Sequence, residues 1–266
     1  MGFVEYLRAR HALLVYAIVV GAVVAFITGS VDYGIHNARH CTDSGRLCVP
    51  MHVSLAGGTS KILLGIVLGS ASFVTMILAT TLAASLNKEN GRGGFAFTKP
   101  LARERVALTY MGIDFVTILI AYAYTVAVCF AALAVLGIAG KVVADPNAAP
   151  IAAGGLGAAT MWYGLIQVAT ALRISGGGLV IGLSWPLFIL ARGAYSIGFF
   201  GAGFHAVVAA LDHLNPLAYF AFTGHPDEVH LVSLFGYSAT TCIAATWIIA
   251  IVACVVAIGE WKQLEV

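Results

Sequence analysis

The residues best suited to chemistry gather in one short stretch. Asp32, His36 and His40 are spaced four apart, so a helix carried that far would set all three on one face. Cys41, Cys48, Met51 and His52 follow closely. Neutral imidazole, thiolate and carboxylate are the donors zinc and copper take, so Asp32, His36, His40 and His52 form a candidate metal set. Histidine here would also titrate near neutral pH, and histidine is equally at home in a wet loop. Cys41 and Cys48 bracket a turn-rich stretch and are the candidate disulfide; bridged cysteines would not be ligands. Cys129, Cys242 and Cys254 lie in apolar runs and read as small buried hydrophobes.

Two charges fall inside apolar runs and are candidates for a transport pathway. Asp114 either pairs with a neighbour, lines a vestibule or sits at the interface. Arg192 either contacts a substrate or lipid headgroup or reaches back to the interface. No G-x-x-x-x-G-K-[ST] occurs, so the chain has no phosphate-cradling loop of its own. Gly176-Gly177-Gly178 lacks the lysine. No residue set suits bond chemistry, and no enzyme activity, resident cofactor or nucleic-acid partner is expected.

The elements that carry these residues follow from composition. Of 266 residues, 60% are hydrophobic and 10% charged. Soluble domains carry about 25% charged residues, so this surface belongs in lipid. Hydropathy gives six spans of the ~20 residues a bilayer needs: 12–28, 62–86, 106–138, 151–172, 179–199 and 234–258. The third is long enough to tilt or project into water. The expected fold is an all-α integral membrane protein with one six-helix domain. The first apolar run reads as a retained span, and 264–266 as a tag remnant.

Orientation follows from Lys and Arg. Arg8, Arg10, Lys88, Arg92, Lys99, Arg103, Arg105, Arg173 and Lys262 fall on the side of the termini. Arg39, Arg46, Lys61 and Lys141 fall on the other. The bias makes both termini cytoplasmic. His36, His40, His52, His205, His213, His225 and His230 are then external. Residues 1–11 read as a short interfacial helix, with Phe3, Val4 and Leu7 on one face and Glu5 and Arg8 on the other. Residues 201–232 contain apolar pieces at 206–211 and 217–222, too short to span. They read as re-entrant or interfacial half-helices broken at Pro216 and Pro226. Gly65 and Gly69, and Gly178 and Gly182, are small pairs suited to close helix packing. Tyr110, Tyr122, Tyr124, Trp162, Tyr163 and Trp185 mark interfaces or pathway walls.

The loop at 87–105 is the sustained polar break on the cytoplasmic side. Gly91, Gly93 and Gly94 free its backbone, and Pro100 ends one helix and suits the start of the next. Phe95 and Phe97 need a covering surface, and Glu89 can pair with Arg103, Arg105 or a partner. A Glu, a glycine-rich turn and Pro100-Leu101-Ala102-Arg103 before the next span resemble the first cytoplasmic loop of type-2 ABC exporter permeases. The interfacial first helix and the segment before the last span are similar to that family too. The resemblance implies that Glu89, Gly91, Gly93, Phe95, Phe97, Pro100, Arg103 and Arg105 couple to a separate ATP-binding subunit, which holds ATP and Mg. It implies a bacterial inner-membrane export subunit, working as a homodimer or beside a homologous permease. Asp114 departs from the family, where a basic residue is common. An ion-coupled carrier or channel, or an outer-face metal handler, are the alternatives.

Overall fold

The computed structural model describes residues 2–43, 61–84, 103–142, 148–171, 201–219, 221–225, 228–232 and 236–263. Five helices are long and apolar enough to cross a membrane, which makes this a multi-pass helical membrane protein. They are α1 (Gly2–Asp43), α2 (Lys61–Ala84), α3 (Arg103–Val135), α4 (Ala148–Ala171) and, last in the chain, α7 (Ala239–Gln263). Between α4 and α7 lie α5 (Ala202–Asp212) and α6 (Pro216–Tyr219). Strands β1 (Ala221–His225) and β2 (Glu228–Val232) follow, paired antiparallel with Thr223 opposite His230. The expected fifth span, 179–199, lies outside the described residues.

Helix directions can be read from pairs of contacts. Arg8 meets Asp114 and Tyr16 meets Thr125, so α1 and α3 run parallel. Leu82 meets Arg8 while Thr75 meets Tyr16, so α2 runs against them. Ile151 packs with Leu64 and Leu68, and Trp162 bonds Thr80, so α4 runs with α2. Gly157 faces Thr246 and Gly164 faces Ala253, so α7 runs with α4. The start of α1, the ends of α2, α4 and α7 and the start of α3 therefore share one end of the bundle. Both α4 and α7 run toward that end. The chain between Ala171 and Ala239 therefore returns to the far end.

Residues α4 presents inward explain why it is central. Trp162 and Tyr163 are 2% exposed, and Met161, Ile166 and Gln167 are fully buried. It lies between α2 and α7, and α7 approaches it across Gly157, Gly164, Ala250 and Ala253. Lipid tails give apolar helices no push toward one another, so such association rests on close packing and polar bonds. α1 is peripheral by contrast: Ala9, Tyr16 and Val20 are buried, while Ile18, Val23 and Phe26 stand exposed on the outward side.

Four expectations are corrected. First, 1–11 is not a separate interfacial helix: α1 runs unbroken from Gly2, with no Gly or Pro between Phe3 and Gly21 to part it. Its Arg8 faces the bundle rather than sharing a solvated face with Glu5. Second, the piece at 217–222 is not a half-helix: the helix from Pro216 is short, and strand pairing begins at Ala221. Phe222 and Thr223 are strand formers, and Gly224 disfavours helix. Third, the last span begins at Ala239 instead of 234. Ser238 caps it, its hydroxyl accepting from the Thr241 amide at 3.3 Å. The long third span stops at Val135 rather than 138, because Gly137 takes φ +70°. Ile138 donates to the Leu133 carbonyl and Gly137 to that of Ala134, closing the helix end.

Candidate functional site

A buried polar chain at the shared end of the bundle is the densest chemistry in the structure. It begins on α1, where the Arg8 guanidinium reaches inward. Its Nη2 lies 2.5 Å from Asp114 Oδ1, and its Nη1 donates to the Leu82 carbonyl at 3.1 Å. The Tyr110 ring lies under the guanidinium, 5.9 Å from centroid to Cζ. The second carboxylate oxygen, Asp114 Oδ2, accepts from the Tyr163 hydroxyl at 2.8 Å. Tyr163 in turn accepts from Gln167 Nε2 at 3.0 Å. Four helices thus meet in one hydrogen-bonded line.

Helix periodicity places these groups. Tyr110 and Asp114 are four apart on α3, and Tyr163 and Gln167 four apart on α4, so each pair shares a face. Asp114 and Gln167 are fully buried, and the Arg8 side chain is 11% exposed. A buried carboxylate without a cation is costly, and Arg8 supplies the cation together with bonds for its own fork of donors. Asp114 sits ten residues beyond Glu104, about 15 Å along the helix at 1.5 Å per residue. Gln167 Oε1 is buried and has no partner among the described residues.

Further polar bonds stitch the bundle above this chain. Tyr16 bonds Thr125 at 2.6 Å and Thr75 at 3.5 Å. Tyr124 donates to the Ala17 carbonyl at 2.9 Å, and Trp162 Nε1 to Thr80 at 2.9 Å. Trp247 Nε1 donates to the Ala153 carbonyl at 3.2 Å. Tyr124, Trp162 and Tyr163 therefore use their polar ends inside the bundle, and Tyr110 its ring face against Arg8. At its edge Lys262 pairs with Glu104 at 2.6 Å, both exposed to solvent.

The other predicted residues fall as follows. Glu89, Gly91, Gly93, Phe95, Phe97, Pro100, Arg192, Cys48 and His52 lie outside the described residues. Arg103 opens α3, and Arg105 is exposed in its first turn. Asp32 is exposed on α1, which does continue through His36, His40 and Cys41 as the spacing requires. No group of three His, Cys, Asp or Glu able to hold a metal occurs among the described residues. The functional reading of the sequence missed Arg8, Tyr163 and Gln167 as a set. Their signal was present: an Arg and an Asp near the same end of two parallel spans, and a Gln inside a third.

A comparison with models of known families, with curated proteins and with solved structures finds no match. The functional argument therefore rests on the chain's own residues.

Proposed function

We propose that this chain is the transmembrane permease subunit of an ATP-driven exporter of the type-2 ABC class. It works with a separate ATP-binding subunit and pairs with a second permease to complete the pathway. The observation that carries the reading is the polar loop 87–105 together with where its flanking helices stand. α2 finishes and α3 begins at the end where α1 starts and α7 finishes, drawn together by Arg8–Leu82, Arg8–Asp114 and Glu104–Lys262. A loop leaving from there shares a side with the basic residues, which is the cytoplasmic side by charge bias. The opposed course of the chain between α4 and α7 supports a sixth crossing at 179–199, and so termini on one side. In this reading ATP and Mg act in the partner, and movement enters through Glu89, Phe95, Phe97, Pro100, Arg103 and Arg105.

An ion-coupled carrier would need Asp114 to receive its ion. Arg8 and Tyr163 occupy both of its carboxylate oxygens, which weighs against that alternative. The test is co-expression with the ATPase encoded nearest to the chain, with Glu89→Ala and Pro100→Ala/Arg103→Ala variants alongside. A stable complex whose ATP hydrolysis falls in the loop variants is the expected result. A chain that is stable alone and associates with no ATPase sinks the reading and returns the carrier and outer-face metal readings to the front.

A further inference from the structure

We propose that the apolar segment 179–199 packs in a groove over α4, between α2 and α7, with Ala194 and Gly198 against Ala158 and Gly154. The proposal rests on the sixth crossing of the permease reading, not on an ATPase partner. The groove follows from where the neighbours of α4 stand. Tyr163 turns to α3, Trp162 to α2, and Gly157 and Gly164 to α7. At 3.6 residues per turn, Gly154, Ala158, Met161 and Leu165 fall on the remaining side, opposite Tyr163. α3 packs on both α2 and α7, which closes its own side of α4. α2 and α7 pack on α4 rather than on each other, so the side opposite α3 lies between them as a groove.

That side is nevertheless covered. Gly154 is buried, Ala158 is 1% exposed and Met161 is fully buried. From Gly154 to Leu165 the face runs about 16 Å. α6 packs on α4 and α7, and its Tyr219 clusters with Met161, Cys242 and Ala250. The four residues of α6 span about 6 Å, so most of the face needs another cover.

The course of the chain makes that cover its own. It leaves α4 at the shared end and has reached the far end by Tyr219, which lies near Cys242 at the start of α7. Of the residues between, only 179–199 is apolar over the length a crossing needs, since α5 spans about 16 Å. α6 fills the far end of the groove. A crossing that follows the groove therefore arrives where the chain's next elements stand, whereas a second copy would meet an end already filled. The spacing of small residues agrees. Ala194 and Gly198 are four apart near the outer end of the segment, as Gly154 and Ala158 are near that of α4. Two such pairs laid antiparallel let the backbones approach closely. In that register Arg192, two residues from Ala194, falls on the face turned away from α4.

The test uses the full chain in its membrane, with the five native cysteines replaced by alanine and cysteine pairs introduced. A disulfide needs Cα atoms roughly 4.4–6.8 Å apart. Ala158→Cys/Ala194→Cys should cross-link within one chain in most molecules on mild oxidation, read as linked peptides from the monomer band. Leu165→Cys/Leu187→Cys, two turns further in the same register, should do the same and decides the matter if the first pair unfolds. Ile77→Cys/Ala194→Cys should not cross-link, because Ile77 stands exposed on α2. A dimer linked through position 158 overturns the proposal, because a second copy then covers the face. Absence of a link in both pairs, in protein that unfolds at the parent temperature, also overturns it. A chain that binds no ATPase sinks the permease reading and leaves this packing standing.

Discussion

Gly164→Ala sets two opposite expectations against each other. An alanine for a glycine inside an exposed helix stabilises by about 0.8–1 kcal/mol through propensity alone. The packing of α4 on α7 argues the reverse. A Cβ on Gly164 would lie 3.0 Å from Ala253 Cβ and 3.1 Å from the Ala250 carbonyl oxygen. Both contacts are tighter than ordinary van der Waals packing, so the neighbours must give by a few tenths of an ångström. Neither neighbour is the far end of a flexible side chain: one is a methyl fixed to the backbone, the other is the backbone. The helices themselves must part. Overpacking of this kind costs about 1–3 kcal/mol, which after the propensity gain leaves a net loss of up to about 2 kcal/mol. Gly112 is the control, because a Cβ there meets nothing within 4 Å. Gly112→Ala should hold or gain up to about 1 kcal/mol. The assay is equilibrium unfolding in mixed micelles, with Gly164→Ala/Ala253→Gly as a partial rescue. Equal stability gains at Gly164 and Gly112 would refute the close approach of α4 and α7.

The polar contacts yield further outcomes in the same assay. Asp114→Ala leaves the Arg8 guanidinium buried without its carboxylate and should destabilise by about 3–5 kcal/mol, whereas Arg8→Met/Asp114→Leu recovers most of that loss. Tyr16→Phe should cost about 1 kcal/mol, because Thr125 keeps its own bond to the Ala121 carbonyl. Lys262→Ala should leave the unfolding temperature unchanged, since its pair with Glu104 stands in solvent.

Apolar run length was enough to find the spans, because lipid demands it of every crossing helix: 12–28, 62–86, 106–138, 151–172 and 234–258 all overlap observed helices. The ends were less legible. Gly137 terminates α3 through a left-handed backbone that hydropathy does not register, and Ser238 fixes the start of α7 by a hydroxyl rather than by apolarity. Composition also misjudged the hairpin. Within 217–222 the helix covers only the residues up to Tyr219, whereas Ala221 and Phe222 pair with Val232 and Leu231, which apolarity alone does not distinguish from a continuing helix. In the candidate site, Asp114 stood out as a charge in an apolar run. Its partner did not, because Arg8 near the chain start is indistinguishable from an ordinary interfacial basic residue until α1 is laid along α3. Asp32, His36 and His40 share a helix as their spacing requires, and spacing alone does not bring a fourth ligand to them.

The central helix of this bundle has the lowest mean hydropathy among the described spans. The α4 window has a mean hydropathy of 1.2 and is 72% buried, against 2.5 and 17% for α1. The order of synthesis gives this contrast a meaning. Emerging alone into a bilayer, a segment carrying Trp162, Tyr163 and Gln167 would partition poorly, since each unpaired polar group costs free energy in hydrocarbon. The greasier segments α1, α2 and α3 precede it, and they hold the groups it needs: Thr80 for Trp162 and Asp114 for Tyr163. The ribosome thus delivers α4 after its receptors are in place. Its insertion is a docking event as much as a partitioning one, and defects in the first three helices would appear as failure of the fourth to enter the membrane.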